Sequence, residues 1–233
     1  MSRASSGPSG SRRATGSRAP DDRGYPLVVV TDVVPLTPDR WPDLEALFRE
    51  GGDPRWCWCM FWRLPSSDFA RRKVPELRER LHEMAAGDPA PGLVAYLDGR
   101  AVGWISVGPR EDYARLERSR TIPRVDDRPV WSVVCFVVSR EARGRGVASA
   151  LLEGALRYAT ARGAATVEGY PVDPGEAKLP ASAGYTGLRS VFERAGFSLV
   201  QVSGSKAGGH PRVIMRRELP PAAEGGSTGA VPQ

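Results

Sequence analysis

A phosphate-binding geometry is the first chemistry this sequence offers. Val133-Val134-Cys135-Phe136-Val137-Val138 is an apolar run that passes through Ser139-Arg140-Glu141-Ala142 into Arg143-Gly144-Arg145-Gly146, and an amphipathic run opens at Val147-Ala148-Ser149. A buried strand therefore enters a glycine-rich turn and leaves it directly as a helix. Small residues at such a turn let the backbone approach a ligand closely. The first N–H groups of the helix lack intrahelical acceptors and point outward with the positive end of the macrodipole. An oxyanion such as a pyrophosphate suits that place, and Arg143 and Arg145 add cationic charge beside it.

Gly-x-Gly ahead of a helix can also be a mere tight connection, but here strand, spacing, arginines and helix agree. A dinucleotide-binding turn is the nearest rival, since Glu168 stands ~20 residues on, where a ribose-binding acid would sit. Against it, Ser149 replaces the third glycine, five residues separate the strand from Gly144, and hairpin signals lie on both sides. A Walker A loop fails because no Gly-Lys-Ser/Thr follows the glycines.

The elements that must hold this turn can be read from periodicity. Residues 25–34 read as a strand through Leu27-Val28-Val29-Val30. Residues 39–50 read as a helix with Trp41, Leu44, Leu47 and Phe48 at helical spacing, stopped by Gly51-Gly52. Residues 69–86 read as a second helix burying Val74, Leu77, Leu81 and Met84. Residues 92–97 and 101–107 around Asp98-Gly99 form a hairpin signal, and 111–118 a short charged helix or loop. Residues 131–138 are the most hydrophobic strand candidate, followed by a helix over 144–162 with Gly163 past its end. Strand 165–171, helix 187–195 and a hairpin of 197–202 with 213–217 close the order. The pattern predicts a mixed α/β (α+β) fold with a central, mostly antiparallel sheet and one strand-helix-strand crossover.

With these residues in place, the sequence resembles the GNAT superfamily of acyl-CoA-dependent N-acetyltransferases. Arg143-x-x-Gly146-x-Ala148 is similar to its Arg/Gln-x-x-Gly-x-Gly/Ala signature, and Val191-Phe192-Glu193-Arg194-Ala195-Gly196-Phe197 to the motif closing the next helix. By order of elements the resemblance extends over about 25–219. It implies a sheet splayed at two central strands, with acetyl-CoA as cosubstrate between them. The pantetheine amides would pair with backbone of Phe136, Val137 and Val138. The pyrophosphate would sit on N–H groups of Gly144, Arg145, Gly146, Val147, Ala148 and Ser149, helped by Arg143.

The same resemblance implies direct attack of a neutral amine on the thioester, with a backbone N–H near Val138 stabilising the oxyanion. The tyrosine that commonly protonates the departing thiolate falls on Phe192, which has no proton to give, so Tyr185 is the substitute. Val130 stands where some relatives carry a glutamate. Glu168 is the candidate base, against a structural salt bridge, with Ser132 able to hold a water and Tyr170 on the same strand face as Glu168.

The acceptor site is expected at the dense cluster Arg55-Trp56-Cys57-Trp58-Cys59-Met60-Phe61-Trp62-Arg63. Trp56, Trp58, Phe61 and Trp62 could wall a pocket for a flat or cationic amine, or at least half of them could be core. The acceptor is read as a small-molecule primary amine. A protein lysine or N-terminus, and a silent module that only binds acyl-CoA, stay open as alternatives, as does a homodimer.

Bulk properties exclude several classes. No apolar run approaches the ~20 residues needed to span a bilayer, so no membrane role is expected. The net charge of +6 is half accounted for by residues 1–24, where five arginines face two aspartates (5 − 2 = +3), so nucleic acid is a weak reading. That segment reads as a disordered basic tail without a secretory h-region, 25–219 as the acyltransferase domain, and 220–233 as a second loose tail. Three cysteines make no disulfide framework and point to the cytoplasm. Too few ligands accompany Cys57 and Cys59 for a metal site.

Overall fold

Residues 32–50, 54–177 and 179–221 are described by the structure, a computed structural model. The expectations for the two tails, for Leu27–Val30 and for Gly51-Gly52 fall outside the described residues. The first described strand, β1 (Asp32–Pro35), leads through a 3-10 turn at Pro38–Arg40 into α1 (Trp41–Arg49). Trp41, Leu44, Leu47 and Phe48 are buried along one side of α1, as their spacing requires.

Next come α2 (Pro54–Cys57), α3 (Ser66–Arg71) and α4 (Val74–Met84). The single helix expected over 69–86 is therefore two. Pro75 cannot donate its backbone hydrogen bond and its ring would clash with the carbonyl four residues earlier, so an unbroken helix fails there. The chain extends at Arg72 (ψ 142°) and Lys73 (ψ 155°) and restarts with proline in the first turn, where it is tolerated.

The hairpin β2 (Gly92–Leu97) and β3 (Arg100–Pro109) turns at Asp98 (φ 50°) and Gly99 (φ 76°), the left-handed pair of a tight two-residue loop. A short 3-10 turn and α5 (Ala114–Glu117) then lead to β4 (Trp131–Val138). After β4 follow α6 (Val147–Ala161), β5 (Thr166–Gly169), a 3-10 segment at Ala181–Thr186, α7 (Arg189–Arg194), β6 (Ser198–Ala207) and β7 (His210–Glu218). The closing hairpin outruns its apolar signal because β6 is an edge strand with largely exposed residues, so hydrophobic alternation does not mark its length.

The seven strands form one sheet in the order β1-β2-β3-β4-β5-β7-β6. All neighbours are antiparallel except β4 and β5, which α6 connects as the crossover. That parallel pair spans only Trp131–Val133 against Val167–Gly169. From Val134 onward β4 keeps β3 on one edge, down to Val138 opposite Gly103, and has no strand on the other among the described residues. The sheet is thus open between its two central strands.

Strand residues feed two separate cores. Val94, Trp104, Val134 and Cys135 join α1, α4 and the 58–64 segment, while Leu93, Ile105, Val133 and Phe136 join α6 and α7. The clusters mark the two faces of the sheet.

Candidate active site

The Gly-rich turn takes shape through backbone conformations that only glycine adopts cheaply. Gly144 and Gly146 lie at φ 74° and 83°, in the left-handed region. These two residues keep the helix from beginning at Gly144, as periodicity alone suggested, and it starts at Val147 with Gly146 as its N-cap. A Cβ on either glycine would meet nothing within 4 Å, so the space above the turn is open. Among the described residues no side chain caps α6, and its first helical bond runs from the Ala150 N–H to the Gly146 carbonyl at 3.0 Å. The N–H groups of Val147, Ala148 and Ser149 therefore precede any intrahelical acceptor. Arg143 is exposed beside them and donates from Nε to the Val138 carbonyl at 3.3 Å, tying the turn to the end of β4. A helix start without a side-chain cap, two glycines under open space and a strand edge that β5 leaves after Val133 fit a ligand with a phosphate at one end and amides along its length.

Glu168 does not have the surroundings of a base. It is fully buried, its Oε1 accepts from Arg110 Nη1 at 2.8 Å and from the Tyr170 hydroxyl at 2.6 Å, and its Oε2 from Arg216 Nε at 2.7 Å. Ser132 Oγ stands 2.9 Å from the same hydroxyl, and Arg110 donates to it at 2.7 Å. Burial, then the Glu168 charge, pushes the Tyr170 hydroxyl well above its ordinary pKa. The cluster extends outward through Arg110 to Glu117 at 2.8 Å and through Arg216 to Asp126 at 2.6 Å. The expectation of a catalytic Glu168 with a water on Ser132, and of Tyr170 against the acceptor, is corrected. A fully buried carboxylate that already accepts from two guanidiniums and a hydroxyl is shut off from an amine in solution, and the structural salt bridge is the reading the geometry favours.

Phe192 is fully buried between Phe136 (6.0 Å between ring centroids) and Phe197 (4.9 Å), over a Gly169 that leaves no room for a side chain. Tyr185 instead borders a cavity of about 590 Å³ with Phe61, Trp62, Pro65, Ser66, Arg115 and Arg212. Its ring meets Phe61 edge-on at 6.5 Å and its hydroxyl accepts from Arg212 Nη2 at 3.2 Å. Desolvation raises its pKa to about 12, opposed by the Arg212 charge and reinforced by Cys135 of β4. At neutral pH Tyr185 is a protonated donor lying within electrostatic reach of the open strand.

The aromatic cluster divides. Phe61 and Trp62 line the cavity with Tyr185. Trp58 is buried in the core against Trp41 at 5.8 Å and Phe48 at 5.4 Å, and Trp56 is exposed beneath Arg55. Half of the expected acceptor wall is therefore elsewhere. Sequence reasoning missed Arg115, Arg212, Arg110 and Arg216. Arg212 and Arg216 bracket the apolar Val213-Ile214-Met215, and a guanidinium inside such a strand was the available signal, since a buried charge demands a partner.

A larger hollow of about 970 Å³ lies along β6 and β7, but several of its charges neutralise one another through Arg216–Asp126 and Arg128–Glu218. Among the described residues no group of three or more His, Cys, Asp or Glu could hold a metal, and no helix is long and apolar enough to cross a membrane.

A family model described as the acetyltransferase (GNAT) family matches residues 47–175. No curated protein matches the sequence. A solved structure described as an acetyltransferase is similar at a TM-score of 0.50 and 16% identity, covering 82% of this chain and 100% of its own. A GNAT-family acetyltransferase of Streptococcus pneumoniae gives 0.49 and 16%, covering 81% and 99%. A PaiA N-acetyltransferase of Thermoplasma acidophilum, solved in complex with coenzyme A, gives 0.46 and 14%, covering 80% and 98%.

Proposed function

The chain belongs to the acetyltransferase (GNAT) family, and from that premise we propose that it moves an acetyl group from acetyl-CoA to the primary amine of a small molecule. The observation that carries the donor half is the start of α6, without a side-chain cap among the described residues, beside the stretch of β4 beyond Val133 that β5 no longer pairs. Val147, Ala148 and Ser149 would offer N–H groups to the pyrophosphate, with Gly144, Arg145 and Gly146 shaping the turn and Arg143 adding charge. Backbone of Phe136, Val137 and Val138 would hold the pantetheine amides. The cosubstrate would supply a thioester: the amine's N–C bond forms to give a tetrahedral oxyanion, the nitrogen passes its surplus proton to water, and the C–S bond breaks as the oxyanion collapses.

The small-molecule assignment rests on the cavity, whose size falls in the range of small-ligand sites. Tyr185, protonated at neutral pH and bordering the cavity, would give a proton to the departing sulfur and take one back from solvent. The N–H near Val138 would stabilise the developing oxyanion. Glu168, Ser132 and Tyr170 act at a distance by fixing β4 against β5 with the Arg110 and Arg216 ion pairs. An amine screen with acetyl-CoA, following thiol release, tests the proposal. Turnover that falls at least about tenfold in kcat in Tyr185→Phe with KM little changed is the expected result; no thiol release with any amine counts against it.

A further inference from the structure

Resting on the acyl-transfer reading above, we propose that the cavity between Phe61 and Arg212 selects amines that also carry a carboxylate, as an apolar or aromatic amino acid does. Its lining includes Arg115, Arg118 and Arg212 and, among the described residues, no aspartate, glutamate or histidine. This replaces the cationic acceptor suggested by the aromatic cluster, because three like charges repel a guest with an ammonium and no anion. The apolar part of the guest faces Phe61 and Trp62.

The contrast among buried arginines carries the argument. Arg63, Arg110 and Arg216 each have a carboxylate in reach, Asp112 at 3.7 Å, Glu168 at 2.8 Å and Glu168 at 2.7 Å. Arg212, 6% exposed, has none among the described residues. Its donors go to neutral oxygens: Ser205 Oγ at 2.9 Å, the Lys206 carbonyl at 3.0 Å, the Tyr185 hydroxyl at 3.2 Å and Thr186 Oγ1 at 3.4 Å. Arg115 lies over the Phe61 ring at 4.0 Å, with a buried Nε that has no hydrogen-bond partner among the described residues. Neighbouring carboxylates are engaged elsewhere, Asp68 with Arg71 and Glu117 with Arg110 and Arg124. A buried guanidinium without a counter-charge is expensive, and a cavity beside it that admits an anion offsets that cost.

The same charges bear on the chemistry. A carboxylate neutralises one of the three arginines, and the remaining positive charge disfavours the ammonium form of the guest. The amine then loses its proton to water more readily and presents the neutral nitrogen that attack requires, which accounts for a site whose nearest buried carboxylate is locked in ion pairs.

Titration calorimetry on the full chain, with coenzyme A present, tests this using apolar and aromatic amino acids, L-phenylalanine first, each beside its carboxamide. The carboxylates bind roughly 10- to 100-fold tighter than the carboxamides, and Arg212→Gln erases the difference. Since replacing a buried arginine can unfold the strand, Arg118→Gln at the exposed end of α5 serves as a second variant. It narrows the preference while melting temperature and coenzyme A affinity stay unchanged. Carboxamides that bind as tightly as carboxylates, or a full panel in which no amino acid binds, overturn the proposal. Coenzyme A affinity from the same preparations reads the acyl-transfer assignment separately, so an acceptor failure and a donor failure are told apart.

Discussion

Replacing Glu168 by glutamine separates a structural anion from a base. The substitution keeps shape and removes the charge that Arg110 and Arg216 face at 2.8 and 2.7 Å. Breaking a buried ion pair costs about 3–5 kcal/mol, because the partner charge is left uncompensated. Here Arg110 retains Glu117 and Arg216 retains Asp126, which puts the expected loss at the lower end, about 3 kcal/mol. For a domain of this size that is a fall of roughly 6–12 °C in melting temperature. Scanning calorimetry measures the fall, and thiol-release kinetics well below the new midpoint measure what remains. The folded fraction keeps a kcat within a few-fold of the parent. A variant with an unchanged melting temperature and a kcat reduced about 10²–10⁴-fold, the loss typical of a missing general base, would refute the reasoning.

Gly144→Ala and Gly146→Ala should each cost about 1–2 kcal/mol through left-handed strain alone, because among the described residues a Cβ there meets nothing within 4 Å beyond its chain neighbours; melting curves check this, and acetyl-CoA affinity falls most for Gly146→Ala. Trp58→Ala should lower stability by about 3–5 kcal/mol as a core truncation and leave the acceptor KM of the surviving fold unchanged, read by denaturation and steady-state kinetics. The Asp126 carboxyl is held below its ordinary 3.8 by hydrogen bonds from Arg216 and, against the opposing effect of burial, from Arg128. Folded, it binds a proton less readily than unfolded, so its stabilisation is complete above about pH 4 and is lost as pH falls below that. Urea midpoints from pH 5 to pH 2.5 should fall, and fall less steeply in Asp126→Asn.

What the sequence disclosed follows from where the burial pattern is strong. Trp131–Val138 is legible to the residue because both its faces are covered, and the α6 stripe of Val147, Leu151, Leu152, Leu156 and Ala159 because one face is. The break before Pro75 and the helix start after Gly146 turned on single residues that override periodicity. The turn proposed for the donor was legible because it is mostly backbone contiguous in the chain. The cavity proposed for the acceptor was not, since Phe61, Arg115, Tyr185 and Arg212 come from four distant segments. Glu168 shows the limit most clearly. An acid in an apolar strand signals a partner, but nothing local told that the partners were arginines rather than a substrate.

The most direct measurement is a calorimetric titration of the chain with acetyl-CoA beside a Gly146→Glu variant, whose added carboxylate would stand at the uncapped start of α6. Saturable one-to-one binding in the parent, lost in a variant that still melts cooperatively, is the predicted result. A parent that does not bind, or a folded variant that binds as well as the parent, contradicts the placement of the cosubstrate on this turn.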